Sequence, residues 1–283
     1  MAAETGILYV VATPIGNLQD ISARAVTTLK QVSRIAAEDT RHSRKLLSQC
    51  GIHTPLLVLH EHNEAEVSVA LLARLRSGDD LAVICDAGTP LISDPGFRLV
   101  RMVREAGIRV VPVPGPSAAI TALSASGLPT DRFVFEGFLP ARQAARRRRL
   151  QTLLDEPRTL VFYESSHRIS ECLRDMGEAL GADRQAVVAR ELTKTFETIQ
   201  GGTLAELLDW ISADANRQRG EFVVLVRGMP EGGHSGIDAE GERVLAVLHA
   251  ELPLRQAASL AARITGLSRN RLYAHGLAIK KND

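Results

Sequence analysis

The sequence predicts an α/β protein built from two α/β domains, followed by a small helical segment. Apolar runs of strand length alternate with helix-period segments through the first half of the chain, which is typical of a mainly parallel sheet covered by helices on both faces. Three of these runs end in glycine- and proline-rich loops, TPIGN at 13–17, CDAGTPLISDPG at 85–96 and PGPSA at 114–118. We therefore predict domains at residues 1–126, 127–230 and 237–283.

The first domain is predicted to contain five strands and five helices. The strands are the apolar runs at 7–12, 34–37, 56–60, 81–85 and 108–113. The helices, with apolar residues at helical spacing, are 21–31, 43–49, 64–76, 97–105 and 117–126. Because parallel strands end at one edge of such a sheet, we expect the three loops to form a ligand site there.

The second domain begins after the turn-rich stretch GLPTDR and is expected to have more antiparallel pairing. Its strands are predicted at 133–138, 159–163, 186–191, 195–201 and 222–226, and its helices at 143–154, 168–180 and 204–211. The composition of 231–236, EGGHSG, predicts a flexible linker. Helices at 240–249, 254–264 and 268–279, joined at Pro253 and at GLS, fit either a helix-turn-helix or a plain packed tail.

Net charge, cysteine spacing and the length of apolar segments exclude several classes of protein. The 283 residues carry a formal net charge of +1, so no overall field indicates a polyanionic partner. Cys50, Cys85 and Cys172 are far apart and give neither a disulfide framework nor a zinc-ligand spacing, so we expect no metal. No segment approaches the roughly 20 apolar residues that span a bilayer, and we expect a cytoplasmic protein without a membrane partner.

The three loops, in this order, resemble the tetrapyrrole methylase fold of the class III S-adenosylmethionine-dependent methyltransferases. Further segments are similar to the bacterial ribosomal RNA small subunit methyltransferase I family: AEDTRHSRKLL at 37–47, HEHNE at 60–64, FYESSHR at 162–168, ELTKTFET at 191–198 and GEFVVLV at 220–226. The match runs over 7–227 and extends into the helical tail. Two positions depart from the family pattern, since Cys85 stands where we expect serine and Ser166 where we expect proline.

The resemblance implies that the two α/β domains hold S-adenosyl-L-methionine in the cleft between them. The residues that it places at this cofactor are Pro14, Asp86, Ala87, Gly88, Ile92, Ser117, Ala118, Tyr163 and Leu192. It also implies 2′-O-methylation of the ribose of a cytidine in the decoding region of 16S (small subunit) ribosomal RNA. The implied partner is this RNA within the 30S particle, and the implied assembly is a homodimer.

A ribose hydroxyl is a poor nucleophile, so a general base would assist methyl transfer to it. Acidic and histidine side chains at predicted strand ends are candidates, namely Glu38, Asp39, His62, Glu64, Glu164 and His167. Each of them has an alternative role in capping, pairing or packing. The resemblance raises Asp39, Arg41, Asn63 and Glu164 as catalytic-site residues and leaves their roles unassigned.

Basic residues crowd one predicted helix. Arg142, Arg146, Arg147, Arg148 and Arg149 lie within an eight-residue window that contains no acid. Such a run is often only a solvated face, but like charges on adjacent turns repel, and we expect these arginines to contact RNA phosphates. Arg41, Arg44 and Lys45, with Arg269, Arg271, Lys280 and Lys281 in the tail, would extend the track.

Two other functions stay open at this point. The same scaffold methylates tetrapyrroles or other small molecules, and such an enzyme would have no use for the arginine run. A non-catalytic RNA-binding assembly factor that keeps the cofactor fold is the second alternative, although the intact loops argue against it.

Overall fold

The computed structural model describes residues 5–229, 239–267 and 269–279. Two compact units are present: Met1–Leu153 with Thr159–Arg227, and Leu154–Arg158 with Gly228–Asp283. The predicted linker at 231–236 lies outside the described residues, as do Ser268, Lys280 and Lys281. Both predicted α/β sheets belong to the first unit.

The first sheet has five parallel strands, as the sequence predicts. They are β1 (Leu8–Val11), β2 (Arg34–Ala37), β3 (Leu56–Val58), β4 (Leu81–Val83) and β5 (Val110–Val113), in the order β3-β2-β4-β1-β5. The connection from β1 leads toward β3, whereas that from β4 leads toward β5. The chain therefore changes direction between neighbours β4 and β1, and ligands of open α/β sheets bind outside the carboxyl ends at such a point.

Five helices cover this sheet: α1 (Ala23–Gln31), α2 (Thr40–Gln49), α3 (Glu64–Arg76), α4 (Phe97–Glu105) and α5 (Ala118–Ala125). Polar caps fix where they begin, since Ser22 Oγ accepts a hydrogen bond from Ala25 N and Asp39 caps α2. The Asp39 cap starts α2 three residues before the predicted position. Apolar clusters pack on both faces of the sheet, one around Leu29 and the other around Leu75.

The second sheet is mixed, with four antiparallel strands and one parallel edge. Its strands are β6 (Phe133–Phe138), β7 (Thr159–Ser165), β8 (Gln185–Arg190), β9 (Thr198–Thr203) and β10 (Glu221–Val226), in the order β6-β7-β10-β8-β9. Strand β9 starts three residues later than predicted, because Glu197 closes a turn by accepting a hydrogen bond from Thr193 N at 2.6 Å.

Helices α6 (Gln143–Gln151), α7 (Ile169–Leu180) and α8 (Leu204–Ser212) pack on one face of this second sheet around Phe162 and Leu173. Its other face packs against α5 and Ile15 through Val161, Val187 and Leu225. The two sheets of the first unit thus share an apolar layer, and the carboxyl edge of the first sheet faces the second sheet.

The second unit contains the three helices predicted for the tail: α9 (Ala239–Glu251), α10 (Leu254–Thr265) and α11 (Arg269–Ile279). Pro253 stands at the start of α10, and Gly266 ends it in the left-handed conformation at φ 75°, which glycine adopts without strain. Ala257, Ala258 and Ala261 pack with Leu245 and Leu272 in a separate small core. Within the described residues, no helix is long and apolar enough to cross a membrane.

Candidate active site

A cavity of about 450 Å³ lies where the loops of the first sheet meet the second sheet. This volume is in the range of small-molecule binding sites. The first unit supplies its walls, which are Ile15, Asp86 to Thr89, Ile92 to Asp94, Ser117, Ala118, Phe138, Tyr163 to Ser166, Ala189, Leu192 and Gly220 to Val223. Apolar side chains alternate with carboxylates and hydroxyls around it, so the cavity suits a ligand that is polar at some points and apolar at others.

The loops that follow β1 and β4 are fastened to each other at the edge of the first sheet. Thr13 N donates to Gly88 O at 2.8 Å, and Gly88 N donates back to Thr13 O at 3.1 Å. Gly88 has φ 87°, a conformation that favours glycine, and this lets the backbone turn beneath the cavity. Pro14 shapes the first loop without lining the cavity, while its neighbour Ile15 supplies a wall.

Cys85 stands where the family pattern has serine, and its thiol, like a serine hydroxyl, has a hydrogen to donate. Its Sγ donates to Ala87 O at 3.3 Å and to Gly88 O at 3.4 Å. Burial raises the pKa of the Cys85 thiol, so it stays protonated as a donor. The departure from the family pattern at Cys85 therefore preserves the turn that presents Asp86.

Asp86 joins the ends of β4 and β2. Its Oδ1 accepts a hydrogen bond from Asp39 N at 3.2 Å. Asp39 in turn caps α2 by accepting from Arg41 N at 2.7 Å and from His42 N at 3.3 Å, and these backbone hydrogen bonds lower the pKa of the Asp39 carboxyl. Asp39 and Arg41 thus lie at the cavity edge, where Asp39 orders the helix, and neither lines the cavity.

The first turn of α5 opens toward the cavity. Ser117 stands at the N-cap without capping the helix through its side chain, and Ala118 follows it in the wall. Tyr163 of β7 accepts a hydrogen bond from Ala119 N at 3.2 Å through its hydroxyl. Tyr163 thus occupies one amide of this turn. Because the dipole and the other amides at a helix start favour a carboxylate, this corner suits an anionic ligand group.

Glu164 is a buried carboxylate in the wall formed by the second sheet. Its side chain has 0% exposure, its Oε1 accepts from Ser165 N at 2.8 Å, and its Oε2 lies 3.3 Å from Arg168 Nη2. Oε2 makes no hydrogen bond to the described residues. A charge buried in this way is tolerated because Arg168 balances it.

A tightly bonded loop between β8 and β9 completes the apolar wall with Leu192. Glu191 and Thr193 on either side of it have positive φ angles of 50° and 65°. Lys194 Nζ holds the loop by donating to Glu191 Oε1 at 2.8 Å and to Glu221 Oε2 at 3.0 Å. Gly16 of the first loop packs on it so closely that a Cβ there would lie 2.9 Å from Thr193 Oγ1.

The residues expected at the cofactor therefore come together, apart from Pro14. The cavity is lined by Asp86, Ala87, Gly88, Ile92, Ser117, Ala118, Tyr163 and Leu192. Of the four residues raised for catalysis, Glu164 alone lines it. Two further wall residues were not predicted from the sequence: Asp94, which stands in the same loop as Asp86, and Phe138, which is the exposed end of a predicted strand.

Asn63 and Glu64 hold loops instead of facing the cavity. Asn63 Oδ1 accepts from His60 N at 2.8 Å, and its Nδ2 donates to Val58 O at 3.1 Å. Glu64 Oε1 accepts from Gly96 N at 3.0 Å and from Arg98 N at 2.8 Å, so it caps α4 across a gap of about thirty residues. Neither residue lines the cavity, and the contacts of both are structural, so the structure adds no support to catalysis at Asn63 or Glu64.

The arginine run on α6 is largely neutralised within the fold, which corrects part of its predicted role. Arg146 is only 1% exposed and donates from Nε to Asp175 Oδ2 at 2.6 Å. Arg147 binds Asp175 and Glu178, and Arg149 forms a bidentate pair with Glu136. Arg146 is therefore unable to reach a phosphate, whereas Arg142 and Arg148 are exposed and have no acidic partner among the described residues.

Comparison with known families separates the chain into two matches. The family Tetrapyrrole (Corrin/Porphyrin) Methylases matches residues 7–208, and the RsmI C-terminal HTH domain matches residues 235–280. The first match covers the first sheet and four of the five strands of the second, ending before β10. The second match covers the three helices of the tail, so the helix-turn-helix interpretation of the tail is confirmed.

Two curated relatives match over nearly the whole chain, and both are named ribosomal RNA small subunit methyltransferase I. The protein from Pseudomonas aeruginosa is 61% identical over 274 residues, covering 96% of this chain and 97% of the relative. The one from Escherichia coli O157:H7 is 55% identical over 272 residues, covering 96% and 95%.

Solved structures share the fold at low identity. A diphthine synthase superposes with a TM-score of 0.61 at 14% identity, covering 79% of this chain and 90% of its own. A uroporphyrin-III-C-methyltransferase from Thermus thermophilus gives 0.54 at 21%, covering 78% and 94%. These likenesses establish the fold and nothing about the acceptor.

Proposed function

We propose a function on the premise that the chain belongs to the tetrapyrrole methylase family and, within it, to the ribosomal RNA small subunit methyltransferase I family. It is an enzyme, and S-adenosyl-L-methionine is its methyl donor. The proposed reaction is methylation of the ribose 2′-hydroxyl of a cytidine in the decoding region of small-subunit ribosomal RNA. Relatives named ribosomal RNA small subunit methyltransferase I are 55% and 61% identical over nearly the whole chain, which supports RNA over a tetrapyrrole as the acceptor.

The residues of the cavity fit the donor. The uncapped first turn of α5 with Ser117 suits the methionine carboxylate, and Asp86 offers a carboxylate to a cationic group. Ile92, Tyr163 and Leu192 offer an apolar wall for a flat ring. The bound donor supplies a methyl group on a positively charged sulfur, a leaving group that is ready without activation. The protein then has to align the acceptor oxygen and remove its proton.

One structural observation carries the RNA part of the proposal: a basic helix begins at the cavity edge. Asp39 caps the start of helix α2, and its backbone N donates a hydrogen bond to Asp86 Oδ1. The helix exposes Arg41, Arg44 and Lys45. No acidic partner of these three side chains occurs among the described residues. Cations of this kind bind phosphates and fix the position of an RNA without reading its bases. We propose that α2, with Arg142 and Arg148, holds the RNA backbone while the target nucleotide enters the cavity.

Base choice then has to come from the cavity itself, because phosphate contacts carry no sequence information. Single-stranded bases are commonly splayed out and held against aromatic side chains. Phe138 is an exposed aromatic on the cavity wall and packs edge-on to Tyr163 at 5.6 Å between ring centroids. It is the side chain that we expect to contact the flipped cytidine.

The proposal is tested by incubating the protein with methyl-labelled donor and 30S particles that lack the modification. Digestion to nucleosides is expected to return the label in 2′-O-methylcytidine. Free 16S ribosomal RNA is the parallel substrate, and we propose that the assembled particle is preferred. Label absent from ribose, with donor binding demonstrated by calorimetry, would refute the function.

A matched pair of variants tests the role of α2. Arg44→Ala is expected to weaken binding to the particle, whereas Arg24→Ala removes an equally exposed arginine from the first turn of α1 and serves as the control. Equal binding by both variants would contradict the proposed RNA contact. A homodimer and a cytoplasmic location with the ribosome belong to the same proposal, and sedimentation at several protein concentrations tests the dimer.

A further inference from the structure

Asp94 is a second carboxylate on the loop that carries Asp86, and it lines the same cavity. We propose that Asp94 is the catalytic base that accepts the proton of the acceptor hydroxyl during methyl transfer. This inference rests on the proposed function and assigns the deprotonation to a residue that the family resemblance did not bring to the site. Three features of the structure support it: the shape of the loop, the surroundings of the carboxylate, and the contrast with Glu164.

The loop holds Asp94 in place through an unusual backbone. Leu91 and Ser93 both have left-handed φ angles, 72° and 69°, that residues other than glycine rarely adopt. Between and after them, the side chains of Ile92 and Asp94 line the cavity. Strained positions of this kind persist only where the surroundings enforce them, and they cluster at functional sites.

Hydrogen bonds at both ends enforce this conformation. At the start of the loop, Thr89 Oγ1 donates to Pro116 O at 2.9 Å. At its end, Glu64 Oε1 accepts from Gly96 N and Arg98 N, which fixes the segment directly after Asp94 to α3. The carboxylate is therefore presented from a clamped loop, as a group that must meet a substrate atom in one geometry should be.

The surroundings make Asp94 a better proton acceptor than an ordinary aspartate. Burial raises the pKa of its carboxyl, the neighbouring charge of Asp86 raises it further, and a hydrogen bond with the Cys85 thiol opposes this rise. Asp94 in turn contributes to raising the pKa of Glu38 and of Tyr163, so these groups face it as well. No lysine or arginine forms an ion pair with Asp94 within the described residues.

Glu164 lines the same cavity but, unlike Asp94, is paired with an arginine. It is fully buried, Arg168 lies within 3.3 Å of one oxygen, and Ser165 N donates to the other. Because its charge is paired with Arg168, the carboxylate of Glu164 is suited to positioning its neighbours. The carboxylate of Asp94 has no such counterion among the described residues and is suited to accepting a proton. Two carboxyl groups whose environments differ in this sense commonly divide such roles.

A lone pair of the ribose 2′ oxygen forms the new bond to the methyl carbon, and the electrons of the breaking carbon–sulfur bond remain on sulfur, which becomes neutral. The hydroxyl proton passes to the Asp94 carboxylate and leaves to solvent after product release. No other reactant is required.

The test compares wild type with Asp94→Asn, which removes the basic oxygen and keeps the size. We expect single-turnover ribose methylation to slow by about 100- to 10,000-fold, the usual range for a general base. Donor affinity by calorimetry and binding to 30S particles are expected to stay unchanged. The rate of the wild type should fall as the pH drops through the raised pKa of Asp94, and the residual rate of the variant should lose that dependence.

Asp131→Asn, on an exposed loop, is the matched control and should behave as wild type. Asp94→Ser is the second variant, and its melting temperature and donor affinity establish that a slow variant is folded. A normal rate in Asp94→Asn would overturn the inference. So would a loss of donor affinity equal to the loss of rate, because Asp94 would then bind the donor. Failure of the proposed function is distinct, since wild type itself would then place no label in ribose.

Discussion

The buried ion cluster between α6 and α7 leads to a sharp prediction about stability. The Asp175 carboxylate has 0% exposure and accepts hydrogen bonds from Arg146 Nε at 2.6 Å, Arg147 Nε at 2.7 Å and Gln143 Nε2 at 3.1 Å. Asp175→Asn keeps the shape and removes the charge, which leaves the buried guanidinium of Arg146 with the exposed Glu171, whose Oε2 lies 3.5 Å from Arg146 Nη2, as its remaining counterion. Breaking a buried pair from one side costs about 3–5 kcal/mol.

Urea unfolding followed by circular dichroism measures this loss. With an m-value of about 3 kcal/mol/M, the expected decrease in the midpoint is roughly 1 to 1.7 M. Glu178→Gln is the matched control, because Glu178 is half exposed and, among the residues that the structure describes, pairs with Arg147 alone, at 2.6 Å. Its midpoint should hardly move. Equal midpoints for Asp175→Asn and Glu178→Gln would refute the assignment of this cluster to the fold.

Three further predictions concern Asp175, Asp86 and the arginines near α6. Hydrogen bonds from Arg147 and Arg146 lower the pKa of Asp175 despite its burial. Its contribution to stability is therefore complete above about pH 5 and is lost as the pH falls through the unfolded-state pKa of about 3.9 toward the lower folded-state pKa. Acid unfolding of wild type should show this loss, and that of Asp175→Asn should not. Asp86→Ala should abolish methylation by weakening donor affinity in calorimetry, with RNA affinity retained, and unchanged methylation would contradict its place at the cofactor. Arg142→Ala and Arg148→Ala should each weaken RNA binding and reduce its salt dependence by about one unit of slope, whereas Arg147→Ala, whose charge is already paired, should leave the slope unchanged.

Much of the fold follows from local pattern because parallel strands and their helices have a strong periodicity. The strands and helices of the first domain fall within a few residues of their predicted positions, and the shifts have visible causes such as the Asp39 cap. The three loops around the cavity are predictable for the same reason, since glycine and proline mark a turn directly in the sequence. Their meeting at one edge then follows from the rule for parallel sheets.

The errors arise where the partner of a side chain lies far away in sequence. A count of local charge on α6 shows only repulsion, because Asp175 and Glu136 that neutralise it come from other elements. Glu64 looks like a cap of its own helix, yet it closes the loop before α4. The left-handed conformation of Leu91 and Ser93 has no signal in residue type, and for that reason the orientation of Asp94 could not be predicted.

In the proposed function, one of these long-range contacts links the donor side of the cavity to the helix that holds the RNA. The donor side of the cavity is built from loops fastened to one another, Thr13 to Gly88 and Asp86 to the amide of Asp39. The same Asp39 caps α2, so the helix that exposes Arg41, Arg44 and Lys45 is fixed to the loop that places the donor. Because Arg41, Arg44 and Lys45 share this anchor with Asp86, we propose that an RNA phosphate on α2 is positioned relative to the methyl group by two hydrogen-bonded residues, Asp39 and Asp86. Most arginines of α6 already neutralise carboxylates of the fold, so from this run we expect Arg142 and Arg148 to add affinity for RNA.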